Sequence, residues 1–381
     1  MNFALTEDQV MIRDAAQSFL ADESGSAAVR KAAESERGYD AGVWQRIGSE
    51  LGWCGIPVPE QHGGLGLGPV ELVLVLEQMG RHLLCAPYFS TVCLAANLLI
   101  QAGSEPVRER FLPGIAEGHL LATTPLPSEG QDWSGAAARV QARRDNGGWV
   151  LEGQCPRVPD GLAAEWILVF AQVPGESAPG LFAVSQDAKC LRREALHGWD
   201  ATRRFACVTL EGVKITAAGR LDDADRACEG YPRAAALARL AIAAEQLGGA
   251  QQCLDLTVAY TATRKQFGRA IASFQAVKHR CAEMMVRIEA ARSAVYGAAA
   301  VAAGPATTDA KAIECAVARA LASDTFFFCA QEAIQLHGGV GFTWEYDPQL
   351  YFKRAQASSH WLGGAETLRE SIAAALLGVT A

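Results

Sequence analysis

Four residues near the middle of the second half of the chain have the types and spacing that a phosphate-binding site needs. Arg264 carries a fork of donors suited to a phosphate or pyrophosphate. Phe267 offers an aromatic face to a heteroaromatic ring, and Gly268 permits a turn and a close approach of the backbone. Gln266 lies between them. The same residues also suit a helix C-terminus with a basic residue and a glycine cap, so this segment alone leaves both interpretations open.

A second segment has a similar composition. Gln335 is followed by the pair Gly338-Gly339, whose successive backbone N–H groups can face an anion. A simple helix stop is the alternative here as well. Since both segments interrupt long apolar helical patterns and each lies beside a glutamine, we expect them to act together. Together they predict a site for a large anionic cofactor.

The elements that position these residues fall into three zones, which predict domains at 1–118, 119–220 and 225–381. The first is helical, with Thr6 as an N-cap and a helix over Val70–Gly80 that opens after Pro69 and ends at a glycine cap. In the second, Asp145-Asn146-Gly147-Gly148 predicts a hairpin. Short strands are predicted there over residues 138–143, 148–152, 166–171, 180–184 and 204–210. The third predicts a four-helix bundle, from the spans 232–263, 274–303, 308–336 and 366–377.

Charge, cysteine content and hydrophobic pattern argue against several classes of protein. The net charge of −8 gives no basic excess for general nucleic-acid binding. The eleven cysteines include no CxxC and no cluster with zinc spacing, which predicts reduced thiols and no metal site. The N-terminus lacks the pattern of a signal peptide, and no apolar run is long enough to span a membrane. We therefore expect a cytoplasmic protein that binds neither nucleic acid nor membrane.

Two long motifs carry a resemblance to a known family. YTATRKQFGRAIASFQAVKH and QLHGGVGFTWEYDPQLYFKRA are similar to signatures of the acyl-CoA dehydrogenases, and VPEQHGGLG with EQMGR resembles their N-terminal domain. The resemblance implies an α+β fold with an N-terminal helical domain, a middle β-barrel domain and a C-terminal four-helix bundle.

The same resemblance implies the cofactor, the reaction and the partners. It implies that FAD contacts Arg264, Gln266, Phe267, Gly268, Gln275, Gln335, Gly338 and Gly339, commonly across a subunit boundary. It implies α,β-dehydrogenation of an acyl-CoA thioester, in which a carboxylate removes the α-proton and a hydride passes to flavin N5. Arg239 is then a substrate-binding residue. The implied partners are the acyl-CoA, a homotetramer or a heterotetramer with a second dehydrogenase subunit, and an electron-transferring flavoprotein.

The chain departs from the family at the catalytic base. Leu362 occupies the usual glutamate position, and Ala238 occupies the alternative position just before Arg239. Glu245 is an acid on this helix, two turns after Ala238 and among Ala and Leu residues. An acid in such surroundings is costly to bury unless it is paired or functional. Two interpretations stay open: Glu245 is the relocated base, or it belongs to a solvated stripe or a structural salt bridge.

The β zone departs as well. The family run resembling TEPGAGSD, which touches flavin and substrate, is replaced by residues 122–130 (ATTPLPSEG), and Cys155 replaces a lysine on the following strand. These changes resemble the heteromeric subunits of steroid and cyclic-acid breakdown, two unlike chains that share flavin sites. Three hypotheses remain: a dehydrogenase that uses Glu245, a non-catalytic subunit that completes a partner's FAD site, and a flavin-dependent monooxygenase relative.

The acyl group itself is not encoded in a motif. Small residues along the long helix, among them Ala241, Ala244, Gly248 and Gly249, suggest a roomy pocket and hence a bulky acyl group.

Overall fold

The computed structural model describes residues 5–127, 133 and 139–378. Its α-helices are Glu7–Glu23 (α1), Ser26–Glu34 (α2), Ala41–Gln45 (α3), Pro69–Arg81 (α4), Asn97–Ala102 (α5), Glu105–Ala116 (α6), Ala224–Thr263 (α7), Gln275–Ala303 (α8), Thr308–His337 (α9), Pro348–Ser358 (α10) and Ala365–Leu377 (α11). Its strands are Ala122–Thr123 (β1), Val140–Asp145 (β2), Gly148–Pro159 (β3), Trp166–Ala171 (β4), Gly180–Ser185 (β5), Leu191–Leu196 (β6), Phe205–Thr216 (β7), Lys265–Gln266 (β8) and Arg269–Ala270 (β9). None of the helices in these ranges is both long and apolar enough to cross a membrane.

The chain divides into two compact units, each built from separated stretches of sequence. The first unit comprises Met1–Lys31, Pro69–Leu84 and Arg239–Ala381, and the second comprises Ala32–Gly68 and Cys85–Ala238. The first unit therefore combines N-terminal helices with the C-terminal helices, and α7 continues from the second unit into the first. The three consecutive domains read from the sequence stay a prediction.

The first unit is helical, and its N-terminal helices begin where the sequence predicts. The hydroxyl of Thr6 accepts a hydrogen bond from the backbone N–H of Gln9, whose side chain in turn accepts from the backbone N–H of Thr6. This capping box satisfies two donors that the first turn of α1 would leave unpaired. Helix α4 begins at Pro69, as expected for a residue that has no N–H to lose.

The predicted glycine cap at Gly80 is wrong, because α4 continues to Arg81. Gly80 instead marks the place where α4 crosses α7. A Cβ added to Gly80 would lie 2.6 Å from Cα of Glu245, and one added to Gly248 would lie 2.7 Å from the backbone N of Arg81. The missing side chains therefore let the two helix backbones touch, and the helices are too close there to leave a cavity.

The same close packing contradicts the roomy pocket expected along α7. Ala241 and Ala244 are buried, and a Cβ on Gly249 would lie 2.5 Å from the ring of Phe326 on α9. The small residues bring neighbouring helices together, as is usual in a close-packed helical core. They give no information about the size of the acyl group.

The predicted C-terminal helices are present, with one addition. Helix α7 begins eight residues before Pro232, the start that the sequence predicts. The additional helix is α10, which the sequence does not predict because Asp347-Pro348 is typical of a turn. Proline at the first position of α10 is a helix-start signal that the sequence did contain. Five helices rather than four therefore form the C-terminal part.

The middle strands form two sheets that share one core, in the orders β1-β4-β5 and β2-β3-β7-β6. A single bridge between Gln141 and Gln172 joins them, so the expected barrel is open in the described part of the chain. The predicted hairpin is confirmed: β2 pairs with β3 through a turn at Asn146 and Gly147, both with positive φ. The predicted first strand began at Ala138, which lies outside the described residues. Strand β6 was missed because it is a charged, exposed edge strand.

Candidate functional site

The predicted phosphate-binding residues lie on a short hairpin that follows α7. Strands β8 and β9 pair through Gln266 and Arg269, and Phe267 and Gly268 form the two-residue turn. Both turn residues have positive φ, 51° and 76°, as a type I′ turn requires. Glycine adopts this conformation freely, whereas Phe267 carries strain and is 90% exposed at the tip. An exposed aromatic ring held in a strained backbone is an arrangement typical of ligand contacts.

The second predicted segment begins where α9 ends. Gly338 has φ 66° and ψ −145°, a conformation that essentially only glycine adopts, and it turns the chain into a 3₁₀ turn over Gly338–Phe342. Gln335 and Gly339 are exposed. Open space surrounds Gly338 and Gly339 where a Cβ would be. A bound group could therefore approach their backbone closely. The N–H of Gly338 is not one of the free donors that the sequence predicts, because it donates to the carbonyls of Ile334 and Gln335 at the end of α9.

A pair of stacked rings joins the two segments. Tyr260, one turn before Arg264, stacks on His337, which immediately precedes Gly338; the ring centroids are 4.4 Å apart and the planes differ by 19°. The backbone N–H of Arg264 donates to the carbonyl of Tyr260, which fixes the end of α7. The contact connects the C-terminal ends of α7 and α9 and so links the two predicted segments.

His337 is held in its position as a neutral ring. Its Nδ1 lies 2.6 Å from the carbonyl oxygen of Ala333, to which it donates a hydrogen bond. Burial lowers the pKa of His337, because the charged form loses more hydration than the neutral form. A neutral ring stacks on Tyr260 without a buried charge.

The groups at this site are available for an anionic ligand. Arg264, Gln266 and Gln275 are exposed, and Gln275 is the first residue of α8. No carboxylate of the described residues forms an ion pair with Arg264. The open backbone, the exposed aromatic ring and the uncompensated guanidinium fit the phosphates and the adenosine part of a dinucleotide. In this respect the structure agrees with the cofactor implied by the sequence. No group of His, Cys, Asp or Glu in the described ranges could hold a metal ion.

Glu245 is a buried acid on α7. It is 7% exposed, and Gly80 of α4 packs directly against its backbone. The next residue, Gln246, donates to the hydroxyl of Ser358 at 2.9 Å and accepts from Arg319 at 3.0 Å. The stretch of α7 around Glu245 is therefore fixed on two sides. The solvated-stripe interpretation of Glu245 is wrong, whereas the catalytic and the salt-bridge interpretations remain.

The position of the family's usual base belongs to a buried turn. Leu362 is 3% exposed and has φ 55°, and its carbonyl accepts a hydrogen bond from Nε of Arg239 at 2.9 Å. Arg239 thus contacts the main chain of this turn, and its part in substrate binding stays a prediction. Ala238, at the alternative base position, is fully buried.

In the second unit, the positions that replace the family's flavin-contacting run are occupied by internal contacts. The hydroxyl of Thr123 donates to the carbonyl of Pro159 at 2.6 Å, and that of Thr124 donates to the carbonyl of Leu168 at 2.8 Å. Cys155 is buried in the core between the sheets. Residues 128–130, the end of the replaced run, lie outside the described residues. The described part of this run offers no free hydroxyl to a flavin ring.

Aromatic rings pack against the chain that follows these threonines. Trp133 is 4% exposed, donates its indole N–H to the carbonyl of Pro125, and stacks on Phe170 with centroids 5.9 Å apart. Phe170 in turn meets the edge of Tyr231 at 5.0 Å. These rings pack against one another and against the chain that precedes them.

Sequence reasoning missed the Tyr260–His337 stack and the exposure of Trp344. The sequence places His337 beside the glycine pair but gives no sign of a partner 77 positions away. An aromatic residue such as Trp344 is expected to pack in a core, yet it is 65% exposed, with Lys353 Nζ 4.7 Å from its ring centroid. Lys353 lies nine positions further along the chain, so no local sequence pattern indicates this contact.

Comparison with known sequences identifies two family domains in this chain. The pattern of the acyl-CoA dehydrogenase N-terminal domain matches residues 6–119, and that of the C-terminal domain matches residues 233–377. The acyl-CoA dehydrogenase IpdE2 of Mycolicibacterium smegmatis is 32% identical over 359 residues, which are 94% of this chain and 96% of that protein. The chain therefore belongs to the acyl-CoA dehydrogenase family, whose members are FAD-using oxidoreductases that act on CH–CH bonds.

Solved structures confirm the predicted fold class. A variant of the Tcur3481-Tcur3483 steroid ACAD superimposes with a TM-score of 0.85 at 30% identity, over 98% of both chains. The ChsE4-ChsE5 complex from Mycobacterium tuberculosis gives a TM-score of 0.88 at 28% identity, over 100% of both chains. Both similarities extend over nearly the full length of the chain.

Proposed function

We propose that this chain takes part in the FAD-dependent α,β-dehydrogenation of an acyl-CoA thioester as one of two unlike subunits. Its own contribution is the site at the ends of α7 and α9, which holds the ADP part of an FAD seated in the neighbouring subunit. The observation that carries the proposal is the exposure of all these groups in a framework that the Tyr260–His337 stack makes rigid. A site complete within one chain would enclose its ligand.

The second unit supports an unlike partner. The hydroxyls of Thr123 and Thr124 donate to carbonyls of the same unit, and Cys155 is buried in its core. These positions therefore offer few groups that could bind an isoalloxazine ring in this chain. In a pair of identical copies, both chains would lack the residues that contact the isoalloxazine ring. An unlike partner that retains the family's flavin-contacting run would supply those residues. The heteromeric names of the Tcur3481-Tcur3483 and ChsE4-ChsE5 structures are in keeping with this arrangement.

Bound FAD supplies the acceptor for the hydride that leaves the β-carbon, and we expect an electron-transferring flavoprotein to reoxidise it. Arg264 would neutralise a phosphate, to which its guanidinium can present two parallel N–H donors. Gly338 and Gly339 would let the phosphate approach the main chain closely, because neither has a side chain, while the N–H of Gly338 itself donates to the carbonyls of Ile334 and Gln335. Phe267 would cover an apolar face of the adenosine part.

A second candidate role is that of the base itself, carried by Glu245. Its burial on a fixed stretch of α7 supports this role, because a desolvated carboxylate near the α-carbon accepts a proton well. In this version the chain removes the α-proton and is catalytic. In the first version the base comes from the partner.

The visible spectrum of the purified chain tests the first role. We expect a colourless protein when the chain is made alone, and a yellow complex when it is made with the product of a neighbouring dehydrogenase gene. A chain that is yellow alone, and that acyl-CoA bleaches, contradicts the unlike-partner proposal.

Two substitutions in the hairpin test the ADP half-site. Arg264→Met removes a charge-assisted hydrogen bond, a loss of roughly 1.5–3 kcal/mol or about 10- to 150-fold in the Kd of FAD for the complex. Lys265→Met removes the same charge from the next exposed residue and should change the Kd by less than about threefold. Equal effects of the two substitutions would mean that Arg264 acts only through general charge.

A matched pair of substitutions on α7 tests the second role. Glu245→Gln keeps the shape and removes the acid, so the complex should keep its FAD but lose reduction of the flavin by acyl-CoA. Glu229→Gln, at an exposed position of the same helix, is the control and should leave reduction unchanged. Unchanged reduction in Glu245→Gln assigns the base to the partner.

A further inference from the structure

One fully buried cation in the first unit has only neutral partners. Arg319 on α9 is 0% exposed, and its Nη1 donates to Oε1 of Gln246 at 3.0 Å. Its Nη2 donates to the carbonyls of Ser358, Ser359 and Trp361 at 2.7, 3.2 and 3.1 Å. Among the described residues, no carboxylate forms an ion pair with this guanidinium. Burial, together with the charge of Arg239, lowers the pKa of Arg319 to about 9.

The carbonyls that Arg319 contacts lie at the end of α10, in the segment from Ser358 to Leu362, which we call the 358–362 turn. The last carbonyls of a helix have no partner within the helix, and here Ser358 and Trp361 are buried while Ser359 is partly buried. A guanidinium is suited to them, because a cation interacts favourably with a helix C-terminus and its fork reaches several oxygens at once.

The far end of the same turn is held by a second guanidinium. Nε of Arg239 donates to the carbonyl of Leu362 at 2.9 Å. Leu362 has φ 55°, a conformation unfavourable for a side chain of its shape, and Gly363 follows with φ 104°. A strained turn of this kind persists only where its surroundings hold it, and the two arginines and Gln246 are the surroundings that the structure shows.

We propose that Arg319 is a positioning residue for the acyl-CoA site. It fixes the 358–362 turn and therefore also fixes Leu362, the non-ionisable residue at the family's usual base position. Through Gln246 it also fixes the stretch of α7 that carries Glu245. The inference rests on the proposed dehydrogenation for its functional part, whereas its structural part stands on the contacts alone.

Hydrogen exchange measures the structural part in the full chain, whatever its activity. The backbone N–H groups of Ser359 and Trp361 donate within this region, to Ala355 and Ser358. In Arg319→Lys, one ammonium cannot serve Gln246 and the carbonyls together, so these amides should exchange at least about 10-fold faster. The control, Arg292→Lys, changes a half-buried arginine of α8 that bonds to Glu77 and Gln251, and it should leave the same amides unchanged.

A milder substitution covers the case in which Arg319→Lys does not fold. Ser358→Ala removes the hydroxyl that accepts from Gln246 and leaves the carbonyl contacts of Arg319 in place. We expect exchange at Ser359 and Trp361 to rise about threefold. Unchanged exchange in both variants, or an equal rise in Arg292→Lys, would overturn the inference.

Kinetics of the assembled FAD complex measure the functional part. A loosened turn weakens the binding of ground state and transition state alike, so Arg319→Lys should raise KM about 10-fold and change kcat by less than threefold. A merely structural residue would lower the amount of active complex and leave KM unchanged, and that result would overturn the functional part. A wild-type complex that no acyl-CoA reduces would refute the proposed reaction, while the exchange data would still test the role of Arg319 in holding the turn.

Discussion

Gly80→Ala should separate α4 from α7 and displace Glu245. The added Cβ would lie 2.6 Å from both Cα and the carbonyl carbon of Glu245, where carbon atoms normally lie about 3.5–4.0 Å apart. The helices must therefore move apart by about 1 Å. Because the obstructing atoms are backbone, no side-chain rotation relieves the contact.

The cost follows from these distances. Overpacking of a core costs roughly 1–3 kcal/mol, and a rigid backbone contact belongs at the upper end. Alanine regains about 1 kcal/mol over glycine as a helix former. We therefore expect a net loss of about 2 kcal/mol in the free energy of unfolding, or a fall in Tm of roughly 4–8 °C for a unit of this size.

Thermal unfolding of the variant is the assay, with Gly25→Ala as the control. The nearest atom to a Cβ on Gly25 is 3.9 Å away, so that variant should stay within about 0.5 kcal/mol of wild type. If Glu245 is the base, Gly80→Ala should also slow reduction of flavin by up to about 100-fold, because a 1 Å displacement can cost that much. A Gly80→Ala protein as stable as wild type would refute the backbone contact on which this reasoning depends.

Three other outcomes follow from the described contacts. Tyr260→Leu removes the ring that stacks on His337, a loss of roughly 0.5–1.5 kcal/mol in stability, and should weaken FAD retention in the complex as measured by dialysis. Burial lowers the pKa of His337 below its value of about 6.5 in the unfolded chain, so the unfolded state binds the proton more readily. The stability from the neutral ring is therefore present above pH 6.5 and is lost as the pH falls below it. Unfolding in urea at pH 7.5 and 5.5 measures this loss of stability, which should be smaller in His337→Gln. Cys190 and Cys228 are exposed and should react with a thiol reagent before the other cysteines, as peptide mapping by mass spectrometry shows.

Local signals in the sequence determined much of the fold. Thr6, Pro69 and the Asn146-Gly147 turn act through their immediate neighbours, so their roles could be read without a structure. The role of Gly80 could not be read in this way, because it depends on contact with Glu245, which lies more than 160 positions away. The charged strand β6 was missed for a related reason: an exposed edge strand lacks the apolar alternation that reveals a strand in sequence.

The candidate site shows the same division. The types and spacing of Arg264, Phe267 and Gly338 suggested an anion site, but the contact that unites its halves joins residues far apart in the chain. The inward hydroxyls of Thr123 and Thr124 were also beyond the sequence, because only the fold decides whether a hydroxyl faces a ligand or a carbonyl. Because both hydroxyls donate to backbone carbonyls, the loss of the family motif changes the hydrogen bonding at this place in the protein.

The left-handed turn at Phe267 and Gly268 has a kinetic consequence. Its backbone already has the dihedral angles of a closed hairpin, so little conformational entropy remains to be lost when a nucleotide arrives. The strain at Phe267 is compensated when the chain folds and does not recur at each encounter. If a nucleotide binds here as proposed, its association would be limited by diffusion and orientation rather than by ordering of a loop.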